Sequence, residues 1–193
     1  MIALQVDQLD RLVALRGTIV VANHPSLLDV VFLISLVPQA QCVVKHQLWA
    51  NRFLRGVVAA AGYIRNDLAP EELLARCTAS LRAGDNLVIF PEGTRTRPGL
   101  PIRLQRGFAN IAEASRADIQ VVRITCSPTM LAKGVPWYGI PPRRGHFRLF
   151  VEHRVRFRDY PDTLSRALRV RRLTRDLEVF FGGRGFDRSG LAT

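Results

Sequence analysis

Two short blocks hold the residue types that could do chemistry. Asn23-His24-Pro25-Ser26-Leu27-Leu28-Asp29 places a histidine five positions ahead of a carboxylate, and Phe90-Pro91-Glu92-Gly93-Thr94-Arg95 gathers a carboxylate, a glycine and an arginine just after an apolar run. On one continuous helix a five-residue step rotates 500°, so His24 and Asp29 would point about 140° apart. They can meet if His24 precedes the helix and Asp29 lies in its first turns. Pro25 favours that arrangement, since proline suits the first helical position. A carboxylate that holds an imidazole fixes its tautomer and stabilises its protonated form, whereas a helix N-terminus disfavours imidazolium. A histidine balanced in this way is suited to act as a general base on an alcohol, a role worth about 10²- to 10⁴-fold in rate.

The same pair serves serine hydrolases, but no Gly-x-Ser-x-Gly sequence occurs. Ser26 is too near along the chain to be a natural partner, and Ser127 before Pro128 fits no nucleophile elbow. The residues therefore favour direct attack by an acceptor hydroxyl on an acyl donor. In the second block, Pro91 stops the strand and Gly93 permits close approach to a ligand. Arg95 can bind a phosphate through two parallel hydrogen bonds, and Arg97, Arg103 and Arg106 extend the basic loop.

These residues must be positioned by the elements around them. The chain of 193 residues fits one domain, with 48% hydrophobic and 23% charged residues, a folded composition. Apolar runs alternate with helical periodicities, the pattern of an α/β domain with a mixed sheet flanked by helices. Strands are predicted over Thr18–Ala22, Cys42–Lys45, Gly62–Ile64, Asn86–Phe90, Ile119–Thr125 and Phe147–Phe157. Helices are predicted over Ser26–Leu36, Leu48–Ala60, Pro70–Ala83, Gly107–Arg116 and Pro161–Phe181. Met1–Leu15 reads as a partly amphipathic helix, packed on the core or against a membrane. The domain is expected to span residues 1–181, followed by a mobile glycine-rich tail over 182–193.

No apolar run approaches the roughly 20 residues needed to cross a bilayer, and no signal peptide is evident. Cys42, Cys77 and Cys126, scattered in apolar surroundings, read as buried thiols of a cytosolic protein, with neither a disulfide framework nor a metal site. The net charge of +12 rests on arginine, since Lys45 and Lys133 are the two lysines and eleven arginines fall between Arg143 and Arg175. Such a surface suits an anionic membrane face or an acidic partner. A nucleic-acid role would also use the charge, but zinc-finger spacing and RNA-binding aromatic pairs are missing.

Both blocks, Asn-His-x4-Asp and Phe-Pro-Glu-Gly-Thr-Arg, 68 residues apart, resemble the first and third motifs of the glycerolipid acyltransferases, whose type members are the 1-acylglycerol-3-phosphate acyltransferases. Lys45 with Leu48, and Arg106-Gly107-Phe108-Ala109, resemble further steps, and the likeness covers Thr18 to Thr125. It implies His24 as general base, Asp29 as its orienting carboxylate, and Glu92, Gly93, Thr94 and Arg95 as acceptor-binding residues. Gly93 and neighbouring amides are candidates for the oxyanion. It also implies a fatty acyl thioester of coenzyme A or acyl-carrier protein as donor, a lysophospholipid acceptor (1-acylglycerol-3-phosphate by default), no metal and no cofactor. A cytoplasmic location peripheral to an anionic membrane follows. The second motif departs from the pattern: Leu68 stands where an arginine would hold the acceptor phosphate, with Arg65 as a substitute three residues earlier. The fourth motif keeps only its strand character, over Gln120–Ile124. These departures leave open a non-phosphate or specialised lipid or pigment acceptor, and a catalytically silent membrane- or nucleic-acid-binding protein of the same fold.

Overall fold

The computed structural model describes residues 2–44, 62–96, 101–131 and 143–183. Among the described residues, seven strands form one sheet in the order β1-β7-β6-β2-β5-β3-β4: β1 Ile2–Asp7, β2 Ile19–Ala22, β3 Ala40–Val44, β4 Ile64–Arg65, β5 Asn86–Ile89, β6 Ile119–Ser127 and β7 Gly145–Val155. β6, β2, β5, β3 and β4 run parallel to one another, β7 is antiparallel to β6, and β1 is parallel to β7. The central strand β2 is buried at every residue, as expected for a parallel strand covered on both faces.

Helices α1 (Leu9–Val13) and α2 (Asp29–Leu36) cover one face, and α3 (Pro70–Ala83), α4 (Gly107–Ser115) and α5 (Arg166–Phe181) cover the other. Alternation along the strands divides the core accordingly. Val20 and Val88 pack with Leu12 and Leu33 on the first face, while Ile19, Val21 and Leu87 pack with Cys77, Phe108, Leu173 and Leu177 on the second. The limits of α3 follow from its sequence. Pro70 opens it, Glu71 and Glu72 occupy its first turn, and Gly84 closes it at φ +100°, a left-handed conformation that glycine adopts freely.

The mixed α/β architecture is the one predicted, with three corrections of detail. Met1–Leu15 is not one helix. Ile2–Asp7 is an edge strand, Gln8 turns the chain at φ +60°, and only Leu9–Val13 is helical. Ile2, Leu4 and Val6 recur at every second residue, a strand period, and β7 offers them an open edge to pair with. α2 starts at Asp29, three residues later than expected, because Pro25–Leu28 are spent on the turn that brings His24 back to Asp29. α5 starts at Arg166, where the Ser165 hydroxyl accepts the Leu168 N–H; a 3₁₀ turn over Phe157–Asp159 and a loop precede it. The helix predicted over Leu48–Ala60 and most of the glycine-rich tail lie outside the described residues.

Candidate active site

β2 and β5 are neighbours in parallel register, Val21 opposite Ile89, so both end at the same edge of the sheet. The chain leaves β2 towards α2 on one face and leaves β5 towards α4 on the other. Where connections part in this way an open α/β sheet leaves a crevice beyond the carboxyl ends of its strands. The two chemistry-bearing blocks, distant in sequence, meet there because they are the first residues past these two strands.

His24 Nδ1 lies 3.1 Å from Asp29 Oδ2, and that oxygen also accepts the Ser26 N–H at 2.7 Å. The Asp29 carboxyl is fully buried and its second oxygen has no hydrogen-bond partner among the described residues. Burial raises the Asp29 pKa, while the His24 and Ser26 hydrogen bonds oppose that rise by favouring the carboxylate. A carboxylate at Asp29 can only accept, which assigns the donor role to Nδ1 and leaves Nε2 as the ring nitrogen to take a proton. The Phe90 ring packs against the imidazole, centroids 4.3 Å apart, and the His24 side chain is only 14% exposed.

The backbone around His24 is held on both sides. The Asn23 side chain continues the ladder between β2 and β6: its amide donates to the Ile124 carbonyl at 2.9 Å and its oxygen accepts the Ile124 N–H at 2.7 Å. On the β5 side, the His24 N–H reaches both the Glu92 carboxylate (3.1 Å) and the Thr96 hydroxyl (2.9 Å). The Thr96 hydroxyl donates to that carboxylate at 2.6 Å, and the Thr96 N–H donates to the His24 carbonyl at 2.7 Å. Sequence reasoning assigns no role to either Asn23 or Thr96. Asn23 carries a signal, as a side chain with one donor and one acceptor immediately past a buried strand. Thr96 carries none, since its part depends on the pairing of β2 with β5.

The remaining predicted residues fall as follows. Gly93 sits at φ +67° in the turn closed by its N–H to the Phe90 carbonyl, and a Cβ there would collide with the Gln105 side-chain amide. Gly93 and Thr94 are exposed. Arg95 turns towards the segment after β6, donating to the Leu131 carbonyl at 2.6 Å. Arg65 ends β4 on the same sheet edge, three strand spacings or about 14 Å from β2. It is half-exposed and forms a two-pronged pair with Asp67, at 2.9 and 2.6 Å. Leu68, in the place of the expected arginine, packs against the apolar cluster beneath α3. Ser26 is fully buried, with its oxygen accepting the Leu28 N–H, so it is not presented as a nucleophile.

Of the thiols, Cys126 is held protonated by burial and lies near enough to Asp29 for the carboxylate to help, while Cys42 and Cys77 are buried. Burial pushes Cys42 up to about 12 and Cys77 up to about 11. No group of three or more His, Cys, Asp or Glu among the described residues is arranged to hold a metal ion, and no described helix is long and apolar enough to cross a membrane. At the opposite sheet edge, where β6 begins and β7 ends, a groove of about 620 Å³ is lined by Arg116, Arg154, Arg156 and Arg158 together with Asp118 and Asp162.

Comparison with known proteins gives the family and the fold. Residues 3–127 match the sequence profile of the family described as Acyltransferase. A 1-acyl-sn-glycerol-3-phosphate acyltransferase from Helicobacter pylori (strain J99) is 34% identical over 110 residues, 53% of this chain and 46% of that protein. One of the same description from Cocos nucifera is 29% identical over 114 residues, 55% of this chain and 37% of that protein. The matched segment thus spans less than half the length of either relative. The crystal structure of the 1-acyl-sn-glycerophosphate (LPA) acyltransferase PlsC from Thermotoga maritima has the same fold, with a TM-score of 0.67 over 93% of this chain and 72% of that one, at 19% identity.

Proposed function

Because the chain belongs to the acyltransferase family, we propose that it moves a fatty acyl group from a thioester, of coenzyme A or acyl-carrier protein, to the hydroxyl of a lysophospholipid. The observation that carries this reading is the His24–Asp29 pair, braced at the carboxyl edge of the sheet beside a buried, occupied Ser26 hydroxyl. His24 Nε2 takes the acceptor's hydroxyl proton as its oxygen bonds to the thioester carbonyl carbon. The tetrahedral intermediate collapses with loss of the C–S bond, and the proton passes from His24 to the departing thiolate. Asp29 stabilises the imidazolium formed between these steps. The Gly93 N–H is spent on the Phe90 carbonyl, so the neighbouring amides of the turn are the candidates to receive the oxyanion, and Arg95 is the candidate to draw in an anionic acceptor. Docking is peripheral, on an anionic membrane surface from the cytoplasmic side, with the basic arginine surface favouring it.

The default acceptor is 1-acylglycerol-3-phosphate, by likeness to the named relatives. One observation favours an acceptor without a phosphate: an apolar Leu68, packed against the core cluster, stands in the place of the expected arginine, and Arg65 is paired with Asp67. A panel decides between them. Thiol release from palmitoyl-coenzyme A and palmitoyl-carrier protein would be followed with 1-acylglycerol-3-phosphate, other lysolipids and phosphate-free lipid alcohols. Release that depends on a phosphate-bearing acceptor supports the default, and release with phosphate-free acceptors alone supports the second reading. No acceptor-dependent release with either donor contradicts both.

A further inference from the structure

We propose that Thr96 is a positioning residue, which sets the catalytic histidine through its backbone rather than through its ring. The proposal rests on the reading of His24 as general base, and its evidence is the hydrogen-bond pattern on the β5 side of the site. His24 exchanges two backbone-directed bonds with Thr96: its N–H reaches the Thr96 hydroxyl at 2.9 Å, and its carbonyl receives the Thr96 N–H at 2.7 Å. The Thr96 hydroxyl spends its own proton on Glu92 Oε1 at 2.6 Å, and that oxygen also accepts the His24 N–H at 3.1 Å. Three groups close a ring in which every contact is a hydrogen bond.

The chemistry of this ring assigns the roles. A carboxylate can only accept, so it requires donors from its neighbours. The Thr96 hydroxyl is the group that can accept from His24 and donate to Glu92 together. Its removal would leave the Glu92 oxygen, among the described residues, with the His24 N–H alone, and would loosen the carboxylate. The consequence falls on the imidazole, because only two rotatable side-chain bonds separate the clamped backbone from the ring. Opposite this clamp stands Asn23, fixed to Ile124, so residues 23 and 24 are pinned between β6 and the β5 loop. The Asp29 bond orients the ring, and the Thr96 ring of bonds fixes the point from which it hangs. Displacement of about 1 Å at a reacting group can cost about 100-fold in rate.

The test compares wild type with Thr96→Val and Thr96→Ser. Valine keeps the shape and removes the hydroxyl, whereas serine restores it. We expect Thr96→Val to lower kcat about 10- to 100-fold with the KM of both donor and acceptor unchanged, and Thr96→Ser to recover most of the loss. The His24 amide, followed by ¹⁵N-resolved hydrogen exchange, should exchange faster in Thr96→Val than in wild type and Thr96→Ser. A Thr96→Val enzyme with wild-type kcat, or one whose loss lies in KM for the acceptor, overturns the proposal, since Thr96 would then be idle or would touch substrate. If the wild type transfers no acyl group, the function proposed above fails, while the amide exchange still decides the clamp: equal exchange in all three proteins contradicts it. Circular dichroism of each variant guards against loss of fold.

Discussion

The Nδ1 of His24 sits 3.1 Å from Oδ2 of Asp29, across a turn of five residues whose own Ser26 N–H donates to the same carboxylate oxygen. The carboxylate therefore orders the turn and the imidazole at once. Asp29→Asn weakens the hold on the Nδ1–H tautomer and the stabilisation of the imidazolium. Its kcat should fall by about 10²- to 10⁴-fold, with KM values little changed. Steady-state kinetics with a thiol-release assay measures this, and an Asp29→Asn enzyme of near wild-type kcat would remove Asp29 from the mechanism.

Asn23 makes a paired contact with the backbone of Ile124, and both bonds are partly buried. Asn23→Ala strands a donor and an acceptor of β6, at a cost of about 1–3 kcal/mol each at most. Urea denaturation should show a lower midpoint with an unchanged slope, and activity should fall with it. Asn23→Asp keeps the acceptor for the Ile124 N–H but opposes the Ile124 carbonyl, so it should be no better.

Gly93 adopts φ +67° with Gln105 packed where a Cβ would lie. Gly93→Ala meets both a left-handed backbone cost of about 1–2 kcal/mol and a collision. The predicted result is a lower melting temperature and weaker activity. Trimming Gln105 to alanine in the same chain should recover part of the loss by relieving the collision, and a double variant no better than Gly93→Ala would place the whole effect in the backbone.

Acid stability has an identifiable source away from the site. Arg169 forms a two-pronged, buried pair with Glu113, which joins α5 to α4, and also donates to the Leu164 carbonyl. The Arg169 hydrogen bonds hold Glu113 below its ordinary value of 4.5. The stability this provides is present above that value and is lost as pH falls through the folded pKa. Asp29 acts in the opposite sense: burial raises its pKa, so its contribution is present at low pH and fades as pH rises through the folded value. Glu113→Gln should flatten the decline of stability below about pH 4.5, measured by denaturation across pH 3–6. Arg169→Ala, which leaves Glu113 without its guanidinium partner, should lower the denaturation midpoint at neutral pH.

Cys42 and Cys77 are both buried, with thiols pushed up to about 12 and about 11. Few thiolates exist at pH 8, and reagent has little access to them. Titration of the folded protein with a chromogenic disulfide should therefore count at most Cys126 in the fast phase, and all three cysteines after unfolding. Fast labelling of Cys42 or Cys77 would show that β3 or α3 opens readily.

Much of the fold is legible in the sequence because local signals and tertiary packing agree. Pro70, the glutamates after it and Gly84 bound α3 to the residue, and the apolar run at Ile19–Ala22 can only be a covered strand. The N-terminal segment misleads because Ile2, Leu4, Leu9 and Leu12 satisfy a helical pattern loosely. Only the free edge of β7 selects the strand for its first part. In the site, the His24–Asp29 contact follows from the geometry of a helix start. The inward use of Glu92 does not, because a carboxylate on a glycine turn looks equally ready for a ligand until β2 and β5 are known to be neighbours. Arg65 likewise looks free in sequence, and its partner two residues on is seen only in the folded turn.

The proposed function stands or falls with His24 as the base in acyl transfer. The most direct test is acceptor-dependent thiol release by wild type and His24→Ala, at saturating donor and lysolipid, with both proteins shown to be folded. Loss of the base should lower the rate by at least about 100-fold in the variant. Release by His24→Ala at a rate near that of wild type would contradict that role and place the catalytic base elsewhere.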